Sequence, residues 1–155
     1  MSKLKTKTTL RETTYSDTLN IDRDGGVIRN VRILGRDSRN GRTYTEQAIA
    51  DAVKLYEGRK VFIDHPDRAN AHQERRLVEF FGELREVKAK DNGVFGDLHF
   101  VKSHPLAETV VESAERFPRQ FGMSHNAEGE TRQEGGKIVV ESLTGVRSVD
   151  LVTDP

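Results

Sequence analysis

The stretch EFFGELREVKAKDNGVFGDLHFV, Glu79–Val101, decides how the chain is read. Two β-rich runs meet at Asp91-Asn92-Gly93, and Asn-Gly or Asp-Gly between such runs is the strongest short-range hairpin signal. The hairpin has no helix between its strands, so the chain does not follow the alternating order of a doubly wound sheet.

Upstream, Gly25-Gly26 forms a turn with a strand on each side, the second carrying Val27, Val31 and Ile33. DSRNGRTYT (37–45) reads as a polar loop with a tight turn at Asn40-Gly41. Thr45 then caps a helix whose face is Ile49, Ala52, Val53 and Tyr56, and Gly58 stops it. KVFIDHP (60–66) is a short strand ended by Pro66, and 69–76 is a polar loop. Downstream, Ser103 is expected to cap a second helix with Pro105 in its first turn and a buried stripe of Leu106, Val110, Ala114 and Phe117. QFGMSHNA, KIVVESL and VRSVDLV read as three strands, the first two parted by EGETRQEGG. The expected fold is α+β and mainly β: one domain over 1–155, an antiparallel or mixed barrel of about seven strands with flanking helices.

Composition narrows the function. The 155 residues carry 25 Lys+Arg against 25 Asp+Glu, a formal net charge of zero, unlike the basic footprint of a nucleic-acid binder. No cysteine is present, which excludes disulfides and thiolate zinc sites. The start, MSKLKTKTTLRETT, is basic but lacks the apolar stretch of a secretory signal. No run reaches the roughly 20 apolar residues of a membrane span. The expectation is a soluble intracellular protein without membrane or nucleic-acid partners and without a cofactor.

QFGMSHNAEG (120–129) sets Ser124 beside His125. In a strand, Gly122, Ser124 and Asn126 share one face, while Phe121, Met123, His125 and Ala127 share the other. Adjacent in sequence, the two point apart, so the serine needs its base from elsewhere. A serine hydroxyl is a weak nucleophile until a base and an orienting group stand within hydrogen-bond reach. His72 lies in the polar loop, His104 reads as a solvated first-turn residue, and His99 faces solvent on a strand. His65 ends a strand and is held extended by Pro66, where a scaffold presents side chains to a site. Asp150, in the apolar run SVDLV, must be paired or hydrogen-bonded if buried. Asp64 competes for the orienting role but points away from its neighbour His65. Ion pairing of Asp150 with an arginine such as Arg147 is the structural alternative. Metal binding by Asp64, His65, Asp67 and His72 fits by residue type but matches no strong ligand spacing.

Taken in order, NGRTYT (40–45), GRKVFIDHP (58–66), FGMSH (121–125) and VESLTGVRSVDLVTDP (140–155) resemble the prohead maturation serine proteases of tailed bacteriophages. These are similar to the herpesvirus capsid-maturation protease, assemblin. The resemblance implies a β-barrel surrounded by helices. It implies Ser124 as nucleophile, His65 as general base and Asp150 as third member, where assemblin has a second histidine. Implied substrates are scaffold and major capsid proteins and the chain itself, inside an assembling procapsid in the host cytoplasm. Self-association is implied by assemblin's dimer. Assemblin's oxyanion donors follow its third catalytic residue. Here Pro155 lies five positions past Asp150, so the donors come from elsewhere or the end is trimmed or self-processed. The competing reading is a non-catalytic capsid-assembly protein that keeps the protease fold.

Overall fold

The computed structural model describes residues 5–16, 19–38, 40–64, 74–90 and 92–153. Among them are nine strands: β1 (Thr6–Tyr15), β2 (Asn20–Asp22), β3 (Val27–Gly35), β4 (Arg42–Tyr44), β5 (Lys60–Ile63), β6 (Phe80–Lys90), β7 (Gly93–Phe100), β8 (Gly122–Glu134) and β9 (Lys137–Val152). Two α-helices accompany them, α1 (Glu46–Tyr56) and α2 (Ala107–Arg116).

All nine strands join one sheet in the order β1-β8-β9-β5-β6-β7-β3-β2, with β4 pairing β9 off that path. The pairings are antiparallel except β4–β9 and β5–β9, which are parallel. The mainly β expectation holds. The closed barrel is not confirmed, because the ladder has two ends, β1 and β2. β1 nevertheless reaches β3 through side chains. Thr14 Oγ1 donates to the Arg32 carbonyl at 2.7 Å, and Arg32 N–H donates to Ser16 Oγ at 2.8 Å.

The hairpin forms as read, with Asn92 at φ +60°. Gly93 follows because a Cβ there would lie 2.6 Å from the Leu34 carbonyl oxygen. Its strands bury Phe81, Leu84, Val94 and Leu98 against Val31, Ile33 and Leu34 of β3. Each such side chain contributes about 1.5–3 kcal/mol when fully removed from water. Helix α1 lays Ala48, Ile49, Ala52 and Tyr56 on this core. Thr45 caps it, accepting from Ala48 N–H at 3.1 Å.

Four expectations change. The 37–45 loop contains β4, which runs beside β9. Helix α2 starts after Leu106 without a side-chain cap, so Ser103 does not cap it. Its buried positions are Ala107, Val111 and Ala114, whereas Leu106 is 41% and Phe117 52% exposed. Two alanines at the contact let the helix backbone approach closely and leave the larger side chains outside. The three late strands are two: β8 runs through EGETRQE to turn only at Gly135-Gly136, both at positive φ. Cross-strand polar pairs hold this extension, among them Thr8 with Thr131 at 2.8 Å and Arg132 with Glu141 at 2.5 Å. β9 crosses Gly145 unbroken, absorbing the irregularity as register shifts against β8. Finally, β1 was not expected at all. Its inward face offers only Leu10 as a buried hydrophobe, beside Glu12.

Candidate active site

β8 lies between β1 and β9, and its two faces diverge chemically at Ser124 and His125. Register places Thr13 of β1, Ser124 of β8 and Asp150 of β9 directly opposite one another, and Phe62 of β5 beside Asp150. Residues directly opposite on antiparallel strands share a face, with Cβ atoms roughly 4.5–5.5 Å apart. Two of the three expected site residues are therefore neighbours. Both are buried, Ser124 at 0% and Asp150 at 1% exposure. Ser124 Oγ has no hydrogen-bond partner among the described residues. His65, the expected base, lies outside the described residues, as do Asp67 and His72.

Asp150 sits in an apolar strand because its charge is compensated. Arg75 Nη1 donates to Oδ1 at 2.8 Å, and Ser148 Oγ donates to Oδ2 at 3.2 Å. The expected arginine pairing occurs, but with Arg75. Arg147 instead pairs Glu128, 2.6 Å away. Arg75 uses the rest of its fork on Glu79 Oε1 (3.2 Å) and on the carbonyls of Ile63 (3.1 Å) and Asp64 (2.8 Å). Its guanidinium carbon lies 4.6 Å from the centroid of the Phe62 ring. The Arg76 backbone N–H, ahead of the Arg75 charge, holds the Glu79 carboxyl below its usual range.

β5 ends at this site. Phe62 pairs Asp150, Ile63 pairs Leu151, and Asp64 N–H donates to the Leu151 carbonyl at 3.0 Å. Asp64 is exposed, at φ +59°, and takes no part in the Ser124 row. Above this end, Ile63, Asp64, Val78, Glu79, His104, Pro105 and Leu106 line a cleft of about 350 Å³.

The opposite face is built differently. His125 is 2% exposed, its ring 5.2 Å from that of Tyr56, and neither ring nitrogen has a partner among the described residues. Burial, reinforced by the Arg42 charge, lowers its pKa to about 3, so the ring is neutral. His125 is thus a core residue on the apolar side, as the alternation predicts. His104 differs from expectation: its Nδ1 accepts from Leu106 N–H at 3.0 Å and its Nε2 meets the Val78 carbonyl at 2.7 Å.

Sequence reading missed the group that anchors β1. The buried Glu12 carboxylate accepts from Tyr44 Oη, from Asn40 Nδ2 at 2.9 Å and from Arg42 Nη1 at 3.4 Å. Burial, then the Glu12 charge, pushes the Tyr44 phenol far up. The signal lay in NGRTYT: Arg42 and Tyr44 alternate, so β4 presents both on one side, and Asn40 reaches the same carboxylate from the turn just before it. Their acceptor is distant in sequence and could not be guessed. Among the described residues no three His, Cys, Asp or Glu side chains gather as a metal site, and no helix is long and apolar enough to cross a membrane.

Compared with known proteins, the sequence matches no protein-family profile and no curated protein. Its structure is similar to the capsid assembly protease gp21 of bacteriophage T4. The TM-score is 0.65 at 18% identity, covering 94% of this chain and 98% of that one. The fold of this chain is thus that of a phage capsid assembly protease.

Proposed function

We propose that this chain is a serine endopeptidase that cleaves scaffold and capsid proteins, and itself, as a tailed-phage procapsid matures. The observation that carries the reading is the register that sets Ser124 opposite Asp150 inside this fold. Ser124 Oγ attacks a peptide carbonyl while His65 takes its proton. Asp150 orients the imidazole and stabilises the imidazolium, His65 returns the proton to the leaving amine, and water releases the acyl-enzyme. Support for His65 is its place immediately after Asp64, where β5 ends against Asp150's strand. Inside the procapsid, a high local concentration of chains favours self-association.

Ser124 has no exposed surface, so a substrate reaches it only from a more open state. A protease packed among its own substrates gains from such closure before assembly. The same burial, with the Arg75–Asp150 ion pair, favours a second reading: a non-catalytic assembly protein that retains the fold. Mass spectrometry of scaffold protein co-expressed with wild-type or Ser124→Ala chains separates the two. The protease reading expects cleavage only with wild type. Equal cleavage by both removes Ser124 from the chemistry, and no cleavage by wild type around assembled scaffold selects the second reading.

A further inference from the structure

Arg75 is the side chain nearest the Ser124–Asp150 row whose bonding exceeds what an ion pair requires. It is 12% exposed, and its donors go to four acceptors from three parts of the chain. One is the Asp150 carboxylate on β9, two are the carbonyls of Ile63 at the end of β5 and of Asp64 just past it, and one is Glu79, which also caps its own short turn through Arg76 N–H at 2.7 Å. The guanidinium carbon lies over the Phe62 ring, 4.6 Å from its centroid, a favourable cation–ring contact. Only a planar fork with five donors makes this set of bonds at once; a lysine ammonium is a point charge that satisfies part of it.

Resting on the protease reading above, we propose that Arg75 is a positioning residue. It fixes the plane of the Asp150 carboxylate and locks the end of β5 to β9, setting the geometry in which Asp150 acts on the general base. Oδ1 is held by the guanidinium and Oδ2 by Ser148, so the carboxylate cannot swing about its Cβ–Cγ bond. Arg75 does not touch substrate. It acts through Asp150, and its positive charge tempers the stabilisation that Asp150 gives an imidazolium. The charged and polar groups around Asp150 among the described residues are Arg75, Ser148 and Ser124, with Glu79 one bond further out.

The test is a histidine ring titration by NMR on the whole chain, following His65 in wild type, Asp150→Asn, Arg75→Gln and Arg75→Lys. Removing the carboxylate charge lowers the His65 midpoint. Removing the guanidinium charge, which is paired with Asp150 at 2.8 Å, raises it by up to about one pH unit. Arg75→Lys, which keeps the charge but loses the fork, isolates the positioning and lowers the midpoint toward the Asp150→Asn value; it also serves if Arg75→Gln does not fold. Loosening of the structure alone would not raise the midpoint in Arg75→Gln and lower it in Arg75→Lys. If Asp150→Asn moves the midpoint and Arg75→Lys does not, Arg75 is only a structural ion pair and this inference falls alone. If Asp150→Asn leaves the midpoint in place, Asp150 does not act on His65, and the triad reading falls with it.

Discussion

Ser124 and His125 are consecutive residues on one strand, yet they occupy opposite chemical worlds. On the Ser124 face, strands β1, β8, β9 and β5 contribute Thr13, Ser124, Asp150 and Phe62, with Arg75 laid across the last two. On the His125 face, β1, β8 and β9 contribute Glu12, His125 and Val149, covered by Tyr56 and Tyr44. Both faces bury a carboxylate, and both compensate it with an arginine: Arg75 for Asp150 and Arg42 for Glu12. They differ in what stands next to it. Asp150 has opposite it a hydroxyl with no partner among the described residues, whereas Glu12 is opposite an imidazole kept neutral by burial. A buried carboxylate is therefore not diagnostic. The chemistry depends on which neighbour the strand register delivers, and the two-residue period of a strand decides that.

The largest expected effect falls on the first face alone. Ser124→Ala should lower scaffold cleavage by about 10⁶-fold, the scale seen when an acyl-transfer nucleophile is removed. It should leave the thermal midpoint nearly unchanged, because the hydroxyl lost is buried without a partner among the described residues. Calorimetry and mass spectrometry of the scaffold check both halves, and a large fall in stability would make Ser124 structural. Asp150→Asn is expected to be milder, about 10⁴-fold in turnover, since the nucleophile and base remain while the orienting charge is gone. It also deprives Arg75 of an ionic partner, so some stability should go with it. Equal turnover in wild type and Asp150→Asn would leave the two faces without the contrast drawn here.

Much of this contrast was legible in the sequence, because it needs only local rules. Alternation separated Ser124 from His125, and an aspartate inside SVDLV demanded a partner. Asn92-Gly93 and Thr45 announced a hairpin and a helix start through backbone chemistry of a few residues. What failed was long-range. Arg75, in a polar stretch beyond the DHP segment, gave no local sign of reaching Asp150, and Arg147 was nearer in sequence. β1 was invisible because strand pairing with β8, rather than an apolar pattern of its own, makes TKTTLRETTY a strand. Ridges on α2 misled for the reverse reason: Leu106 and Phe117 fit a helical stripe with Ala114, but tertiary packing buries Ala107 and Val111 beside Ala114 and leaves both ends of the stripe outside. The expected barrel foundered on β1 and β3, which meet through Thr14 and Ser16 side chains and not through a ladder.

On the second face the expected effects are in stability. The folded pKa of His125 is depressed to about 3 from an ordinary value of 6.5. Between those values the unfolded chain binds a proton that the native chain does not. Stability from the neutral ring is thus fully present above about pH 6.5 and is lost as pH falls toward about 3, by up to roughly 5 kcal/mol. His125→Leu removes this dependence. Urea unfolding should find the variant about as stable as wild type at pH 7 and more stable by roughly 3 kcal/mol at pH 4. Scaffold cleavage at pH 7 should persist, since His125 points away from Ser124. Lost cleavage with an intact fold would show that the histidine adjacent in sequence matters after all.

The smallest expected effect asks how independent the two faces are. Helix α1 carries Tyr56 onto His125, and it is fastened at its start by Thr45. That hydroxyl accepts from Ala48 N–H and donates to the Glu141 carbonyl of β9 at 2.8 Å. Thr45→Ala removes an N-cap and one tie to β9, which costs about 1 kcal/mol. A domain of this size should register that as a few degrees in its thermal midpoint, roughly 2–8 °C. The tie joins α1 to β9 nine residues before Asp150, at a point where register shifts already break the β8–β9 ladder. Those irregularities absorb small displacements, so the Ser124–Asp150 pairing should not feel the change, and cleavage at 25 °C should match wild type. A fall in cleavage larger than the fall in folded fraction would mean that α1 sets the register of β9 through to Asp150. In that case the apolar face positions the residues of the polar one.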